Sequence, residues 1–278
     1  MQVPAQETDA PDRNTGFAAE ALFRLAGRKA LLGILIPGLL LIVWQLSSSQ
    51  GWIDGILYPA PTTIARAFYD LILSGTLWEN LRISLARAAI GFALGGAAGL
   101  ALGVLVGMSR RTEKVLNPSV QMIRMIPHLA LVPLFVLWFG IGETSKVLII
   151  AKGAFFPLYI NAFIGIRNAD NKLFEVARAL EYSRWTTIRK LVIPSAMPNI
   201  ILGTRLSLGL AWLGLVVAEL MGATSGLGYL MSDARQFSQT PIVFVGIVLF
   251  AVIGKLADSG VRLVERRLLH WQDGFKGR

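Results

Sequence analysis

One polar, basic segment interrupts an otherwise apolar chain, and it reads EVARALEYSRWTTIRKLVIP from Glu175 to Pro194. Around its first half, apolar residues recur at helical spacing, at Leu173, Val176, Ala177 and Leu180. Asp170 or Asn171 is expected to cap this first helix, because a short side-chain oxygen satisfies the free amides of a first turn. Ser183 is placed to cap a second short helix, which Pro194 is expected to end because it lacks an amide. The pattern predicts a helix–turn–helix that docks in a groove of a partner.

The chain around this segment is too apolar for a soluble domain of its length. Of its 278 residues, 54% are hydrophobic and 16% are charged. Together with its long apolar runs, this composition predicts an all-α polytopic membrane protein. The sequence has no cysteine, which excludes disulfides, thiolate metal sites and cysteine nucleophiles. His128 and His270 are too few for a histidine-rich metal site, so neither a metal nor another cofactor is expected.

Apolar runs predict about six transmembrane helices, at 30–46, 84–108, 115–140, 146–166, 199–220 and 241–256. The first run resembles a signal peptide, but no clear cleavage site follows it, so it is interpreted as a retained anchor. The predicted organisation is a disordered cytoplasmic tail at 1–28, a first helix with an outer amphipathic segment at 29–77, a five-helix core at 78–265 and a cytoplasmic tail at 266–278. The polar segment belongs to a loop at 167–194 inside that core, and a short basic loop is expected at 109–114.

The second predicted span has a face made of small residues. Glycine recurs there at every fourth position, at Gly91, Gly95, Gly99, Gly103 and Gly107. Small residues at this spacing allow another helix to approach closely, so that van der Waals contact drives the association. Glycine is common in membrane helices, but five glycines in one register favour a packing face.

The distribution of lysine and arginine predicts the orientation of the chain. Most of these residues fall in the N-terminal tail, in the loops that join the second to the third and the fourth to the fifth predicted span, and after the last span. The opposite side holds few: Arg66, Arg82, Lys146 and Arg235. The positive-inside rule therefore predicts that both termini and the Glu175–Pro194 segment are cytoplasmic. This placement also explains the net charge of +10 without a nucleic-acid partner.

The third predicted span does not favour a straight helix. Pro118, Pro127 and Pro133 interrupt it, and each proline frees a backbone carbonyl one turn back. The span is therefore predicted to be kinked or partly unwound. Broken helices of this kind expose backbone dipoles to a substrate.

The Glu175–Pro194 segment resembles the EAA loop in permease subunits of ATP-binding-cassette importers. The resemblance rests on Glu175, Ala177, Ala179, Leu191, Ile193 and Pro194. Glu181 stands where the family usually has glycine, which normally relieves the tight turn between two coupling helices. In the family this loop inserts into a cleft of the ATPase subunit. The resemblance therefore implies ATPase coupling through Glu175, Ala177, Arg178, Ala179, Leu180, Glu181, Tyr182, Ser183, Leu191 and Pro194. An ordinary basic cytoplasmic loop is the alternative interpretation.

A second string, PHLALVPLFVLWFGIG at 127–142, resembles the permease of the aliphatic-sulfonate importers. Taurine and nitrate relatives share its outline, and they or another small organic solute remain alternatives as substrate. The resemblance covers the chain from about residue 44 onward. It implies a type I importer-permease fold in the cell inner membrane, with the pathway lying between the two copies of a homodimer. It also implies two cytoplasmic ATP-binding subunits and an extracytoplasmic substrate-binding protein.

Ionisable residues at membrane depth are costly, so each is a candidate for the substrate pathway. Arg124 and Lys152 have the sign to receive a sulfonate, but each can instead snorkel or pair with a carboxylate. His128 lies in the broken third span, where a structural hydrogen bond to a freed carbonyl is the preferred interpretation. Glu219 would repel an anion from the pathway, so it is better explained as a structural partner of a helix end or a neighbouring hydroxyl.

Neither ATP hydrolysis nor other catalysis is predicted for this chain. The nearest trace of a nucleotide-binding loop is Gly254-Lys255, but Leu256 follows where serine or threonine must hold magnesium. No set of nucleophile, base and acid is visible in the sequence, which disfavours a membrane enzyme. A self-contained secondary transporter is also disfavoured, because the sequence has no convincing internal repeat and the docking segment would have no partner.

Overall fold

The computed structural model describes residues 35–169 and 171–269, and all regular elements in these ranges are helical. The helices are α1 (Leu35–Ser49), α2 (Pro61–Leu73), α3 (Thr76–Met108), α4 (Arg110–Arg124), α5 (Val132–Phe139), α6 (Glu143–Arg167), α7 (Asn171–Ala179), α8 (Arg184–Thr187), α9 (Ile193–Leu220), α10 (Leu227–Gln236) and α11 (Thr240–Leu268). A 3₁₀ turn, Leu129–Leu131, precedes α5, and a π-helical turn, Ile188–Val192, precedes α9. The predicted tail at 1–28, the start of the first span, the Asp170 cap, His270 and the last nine residues lie outside the described residues.

The chain divides into two compact units after Thr63. In the described part of the first unit, the Gln45 amide joins α1 to the start of α2. Its oxygen accepts from the Thr62 backbone N–H at 3.1 Å, and its nitrogen donates to the Thr62 hydroxyl at 3.1 Å. The Ser48 hydroxyl donates to the Tyr58 carbonyl at 2.9 Å. These bonds hold residues 58–62 against the end of α1.

Four of the described helices are long and apolar enough to cross a membrane. They are Thr76–Met108, Glu143–Arg167, Thr240–Leu268 and a single helix of 36 residues that runs from Trp185 to Leu220. The broken pair Arg110–Arg124 and Leu129–Phe139, bent by 85°, makes a fifth candidate. α1 is a shorter apolar helix, so the prediction of a sixth span stays a prediction.

The kinked third span is confirmed, and the structure locates the break. α4 ends at Arg124, and Pro127 lies in the non-helical stretch that follows it. Pro118 is inside α4, and Pro133 lies in the first turn of α5, where a missing amide costs least. Only one of the three prolines therefore marks the change of direction.

The helices extend beyond three of the predicted boundaries. The helix that contains the second predicted span begins at Thr76, because Gly75 adopts a left-handed conformation (φ 77°) that separates α2 from α3. The expected loop at 109–114 is reduced to Ser109, whose hydroxyl accepts from the Thr112 N–H at 3.3 Å and caps α4. The last helix continues past residue 256 to Leu268. In this extension the Asp258 carboxylate pairs with Arg262, four residues later on the same helix, at 2.6 Å.

The prediction that Pro194 ends a helix is also wrong. The chain passes from α8 through the π-helical turn into α9, with Pro194 in the first turn of α9. The Ile193 N–H bonds to the Ile188 carbonyl, five residues back, which widens the helix just before the proline. The proline ring therefore meets a widened turn, and the helix is not interrupted.

The core of the second unit is built on α3, α6 and α9. α3 and α6 run in the same direction, because Gly91 faces Ile150 near one end and Gly107 faces Ile166 near the other. A Cβ atom at Gly95 or Gly99 would overlap the backbone of α6, and one at Gly103 would lie 2.5 Å from the Tyr159 carbonyl oxygen. The predicted small-residue face thus packs on a helix of the same chain. The described apolar cluster around it contains Leu71, Leu77, Ile150, Ala154, Ala211, Leu215, Leu227, Leu230, Val245 and Phe250.

Candidate functional site

A cavity of about 760 Å³ opens beside the break in the third span. The break contributes Arg124 and residues 125–128, α6 contributes Lys152 and its neighbours on the same face, and α9 contributes Leu206, Leu210 and Leu213. Three of the four predicted pathway residues, Arg124, His128 and Lys152, therefore line one space. Its volume falls within the range of small-molecule sites in proteins.

The two cations of this cavity have no acidic partner in the described chain. The Lys152 ammonium donates to the Ile126 carbonyl at 2.9 Å, a group that the helix break leaves unpaired. Arg124 is exposed, and within residues 35–169 and 171–269 it makes no hydrogen bond or ion pair. No aspartate or glutamate belongs to the lining. Pairing with a carboxylate is an alternative to a substrate role for Arg124 and for Lys152. Within the described residues, neither side chain makes such a pair.

His128 lines the cavity but does not make the expected bond to a carbonyl. Its Nε2 atom is buried and has no hydrogen-bond partner among the described residues. The imidazole lies against α9, where a Cβ atom added at Gly214 would be 3.0 Å from Nε2. The Ile126 carbonyl at the break is bound by Lys152 instead. The predicted hydrogen bond from His128 to a freed carbonyl is thus not formed in the described residues. Gly214 leaves room for the imidazole ring.

Glu219 does not line the cavity. Its carboxylate is fully buried and accepts from Arg87 Nη1 at 2.8 Å, from the Ser84 hydroxyl at 2.8 Å and from the Gly228 N–H at 2.9 Å. The interpretation of Glu219 as the structural partner of a neighbouring hydroxyl is confirmed, and its assignment to the substrate pathway is not carried forward. A buried carboxylate with three donors needs no ligand to balance it.

Arg87 is the centre of this buried cluster, and sequence reasoning missed it. Besides Glu219 it binds Glu143 through two parallel N–H···O bonds of 2.6 Å, and its Nη1 donates to the Ser225 carbonyl at 2.6 Å. The signal was present, since an arginine inside an apolar run is costly unless it is paired. Applied to Arg87 and Glu219 together, that rule predicts an ion pair between the second and fifth spans.

The same cluster fixes the turn between α9 and α10. The Gly226 N–H donates to the Asn80 side chain at 2.7 Å, and the Leu227 N–H donates to the Ser84 hydroxyl at 2.8 Å. Gly226 has φ 106°, and a Cβ atom there would lie 2.7 Å from Arg87 Nη1. Only glycine satisfies both the backbone conformation and the space. α3, α6, α9 and this turn are therefore joined at the end of the bundle where α6 begins.

The predicted helix–turn–helix forms at the opposite end, between α6 and α9. α7 closes with the Tyr182 N–H bonded to the Ala177 carbonyl at 2.9 Å and the Glu181 N–H bonded to the Arg178 carbonyl at 3.1 Å. This is the pairing of a Schellman motif, which requires a left-handed residue after the helix. Glu181 adopts that conformation with φ 51°. The turn that glycine usually supplies is therefore kept by a glutamate.

The second helix of this segment starts as predicted. The Ser183 hydroxyl accepts from the Thr186 N–H at 3.2 Å and so caps α8. Leu180 and Trp185 project apolar side chains that are 57% and 70% exposed, whereas Ala177 is buried. The side chains of Leu173 and Val176, the other members of the predicted stripe, lie outside the described residues. Glu175, Arg178, Ala179 and Glu181 are exposed, while Tyr182, Leu191 and Pro194 are partly buried.

Comparison with known proteins identifies the family. A family model described as "Binding-protein-dependent transport system inner membrane component" matches residues 85–270. The chain is 56% identical over 262 residues to the aliphatic sulfonates transport permease protein SsuC of Bacillus subtilis (strain 168), covering 93% of this chain and 95% of the relative. It is 47% identical to the protein of the same name in Escherichia coli (strain K12), covering 86% and 91%. It is 33% identical to the taurine transport system permease protein TauC of the same organism, covering 88% and 90%.

Solved structures support the fold. An amino acid ABC transporter with histidines aligns with a TM-score of 0.60 at 19% identity, covering 73% of this chain and 96% of the other. An inward-facing form of the MetNI methionine ABC transporter aligns with a TM-score of 0.53 at 20% identity, covering 69% and 95%. The chain belongs to the binding-protein-dependent transport family and is the multi-pass inner membrane permease subunit of an ATP-binding-cassette importer, in which ATP hydrolysis occurs on a separate subunit.

Proposed function

We propose that this permease imports aliphatic sulfonates. The observation that carries the proposal is the cavity beside the broken third span, where Arg124 and Lys152 face a common space and no carboxylate lines it. A sulfonate is a permanent anion at neutral pH, so it gains from two cations that no acid already neutralises. The relatives that share 56% and 47% of their residues are named for aliphatic sulfonate transport, which supports the same substrate class.

We propose that both termini and the Glu175–Pro194 segment are cytoplasmic, in agreement with the charge distribution. In this orientation the segment receives the ATP-binding subunit, with Glu175, Arg178, Leu180 and Ser183 among its contacts. The exposed apolar side chain of Leu180 supports this role, because it offers a partner a surface to bury. An extracytoplasmic binding protein then delivers the substrate at the other end, where the Arg87 cluster lies.

The helix that links the two sites supports a mechanical role for the segment. The 36-residue helix Trp185–Leu220 begins inside the docking segment and includes Leu206, Leu210 and Leu213 of the cavity wall. Because α8, the π-helical turn and α9 are continuous, a push on the segment moves the wall of the cavity as one body. Two copies of the chain, with two ATP-binding subunits, would form the pathway between them. ATP binding would then open it to the outside, and hydrolysis would reset it.

Growth on defined sulfur sources tests the proposal. A strain that lacks this chain is supplied with an alkanesulfonate, taurine or sulfate as the sole sulfur source. Growth is expected to fail on the alkanesulfonate but not on taurine or sulfate. A plasmid copy of the chain is expected to restore growth on the alkanesulfonate. Normal growth on the alkanesulfonate would overturn the sulfonate assignment, and failure on taurine alone would transfer the assignment to taurine. Uptake that persists without ATP would favour a secondary transporter.

A further inference from the structure

The cavity beside the third span has two chemically different walls. Arg124 and Lys152 supply positive charge next to the helix break. Leu206, Leu210 and Leu213 follow one another along α9 at four- and three-residue steps, so they form one apolar stripe on that helix. The lining therefore suits a ligand with an anionic head and an apolar tail.

The lining also lacks a carboxylate that would neutralise a positive charge. It contains no aspartate or glutamate, and the Ile126 carbonyl at the break is already bound by Lys152 at 2.9 Å. A zwitterionic sulfonate such as taurine would bring its ammonium into a space that already holds two cations. An unpaired charge next to apolar side chains is strongly disfavoured. Inorganic sulfate, in contrast, would leave the leucine stripe unfilled.

We infer that this cavity is a selective binding site in the permease itself, which takes alkanesulfonates and discriminates against taurine and sulfate. The sulfonate lies by Arg124 and Lys152, and the alkyl chain lies along Leu206, Leu210 and Leu213. The inference rests on the proposed function and deepens it, because it adds a second selection step to that of the binding protein. Each methylene buried on the stripe is expected to tighten binding about fourfold.

Direct binding in the absence of the binding protein tests the inference. The permease is purified in complex with its ATP-binding subunits and placed in nanodiscs, and equilibrium binding of 1-butanesulfonate, 1-hexanesulfonate, taurine and sulfate is measured. Binding is expected to strengthen from butane- to hexanesulfonate and to be at least tenfold weaker for taurine and sulfate. Equal binding of the four anions, or no binding of any, would overturn the inference.

Variants of one leucine provide the sharper test. Leu210→Asn is expected to remove the gain from butane- to hexanesulfonate, because the tail then meets an amide. Leu210→Asp is expected to weaken both alkanesulfonates and to improve taurine relative to them, because its carboxylate can pair with the ammonium. Leu202 lies on the same helix outside the cavity, and it is 48% exposed, as is Leu210. The same two changes at Leu202 are therefore the matched controls and are expected to leave the order of the four anions unchanged.

The outcomes separate this inference from the proposed function. If the complete transporter with its binding protein takes up alkanesulfonates, but the Leu210 and Leu202 variants behave alike, the proposed function stands and the selective cavity is wrong. If the complete transporter takes up no alkanesulfonate, the proposed function fails first. A gain of taurine binding in Leu210→Asp alone would support both.

Discussion

At the scale of single residues, the structure shows how a departure from a family pattern is tolerated. Glu181 stands in the Glu175–Pro194 segment where the family pattern usually has glycine, yet it adopts the left-handed conformation itself. Two backbone bonds, from the N–H groups of Glu181 and Tyr182 to the end of α7, hold it there. Their formation offsets the steric cost of a Cβ atom at positive φ.

This conformation predicts the effect of changing residue 181. Glu181→Val is expected to destabilise the segment by about 1 kcal/mol, because a β-branched side chain disfavours positive φ most strongly. Glu181→Gly is the control. The permease with this change is expected to bind the ATP-binding subunit at least as tightly as the unchanged permease. Affinity of the purified permease for the ATP-binding subunit is the measurement. Equal loss of affinity in both variants would contradict a conformational cause.

Arg87 predicts a second, larger effect. Arg87→Met leaves the carboxylate of Glu219 buried without its counter-charge, and breaking a buried pair in this way costs about 3–5 kcal/mol. Arg82→Met is the matched control, since Arg82 lies on the same helix with an exposed side chain, where a substitution changes stability by about 0.5 kcal/mol or less. Folded yield and thermal unfolding in detergent measure both variants. A small effect at Arg87 would show that the cluster does not hold the bundle end together.

At the scale of helices, α3 and α6 approach each other so closely that the middle of the glycine face meets the backbone of α6. The glycine face of α3 allows this, because carbonyl groups of Ala151, Phe155 and Tyr159 lie where Cβ atoms would otherwise be. Close approach replaces the hydrophobic drive that is missing between helices in a lipid environment. The register of the pair then places Arg87 of α3 beside Glu143 at the start of α6.

Two neighbouring glycines of α3 test this contact. A Cβ atom at Gly95 would overlap the Ala151 backbone, whereas one at Gly96 would make an ordinary contact of 3.5 Å with a Leu158 methyl group. Gly95→Ala is therefore expected to cost about 1–3 kcal/mol by forcing the helices apart. Gly96→Ala is expected to be tolerated. Melting temperatures of the two purified variants decide the matter, and similar values would refute a contact specific to the glycine face.

At the scale of the whole membrane unit, the Arg87 cluster and the Glu175–Pro194 segment lie at opposite ends of α6 and α9. The Arg87 cluster joins the start of α6 to the end of α9, and the docking segment joins the end of α6 to the start of α9. The cavity lies beside α6 and α9, between these ends. In the proposed mechanism, a movement at the Glu175–Pro194 end reaches the cavity, while the Arg87 cluster holds the other end.

The proposed orientation predicts which residues a membrane-impermeant thiol reagent reaches. The chain has no cysteine, so single substitutions report without background. Arg111→Cys, at the start of α4, is expected to be labelled only after the membrane is permeabilised. Ser238→Cys, between α10 and α11, is expected to be labelled in intact cells. Both positions are exposed, so the reverse pattern would mean that the orientation is inverted.

The membrane class, the broken third span, the glycine face and the helix–turn–helix could all be predicted from the amino-acid sequence. Each of these depends on local composition or on periodicity along one segment, which neighbouring residues encode directly. The three-dimensional packing was needed to show that Glu219 pairs with Arg87, which lies 132 positions away, and that Arg124 and Lys152 share one cavity. It was also needed to show that a π-helical turn continues the helix through Pro194. Such contacts depend on the register in which helices pack, and single-residue propensities do not specify that register.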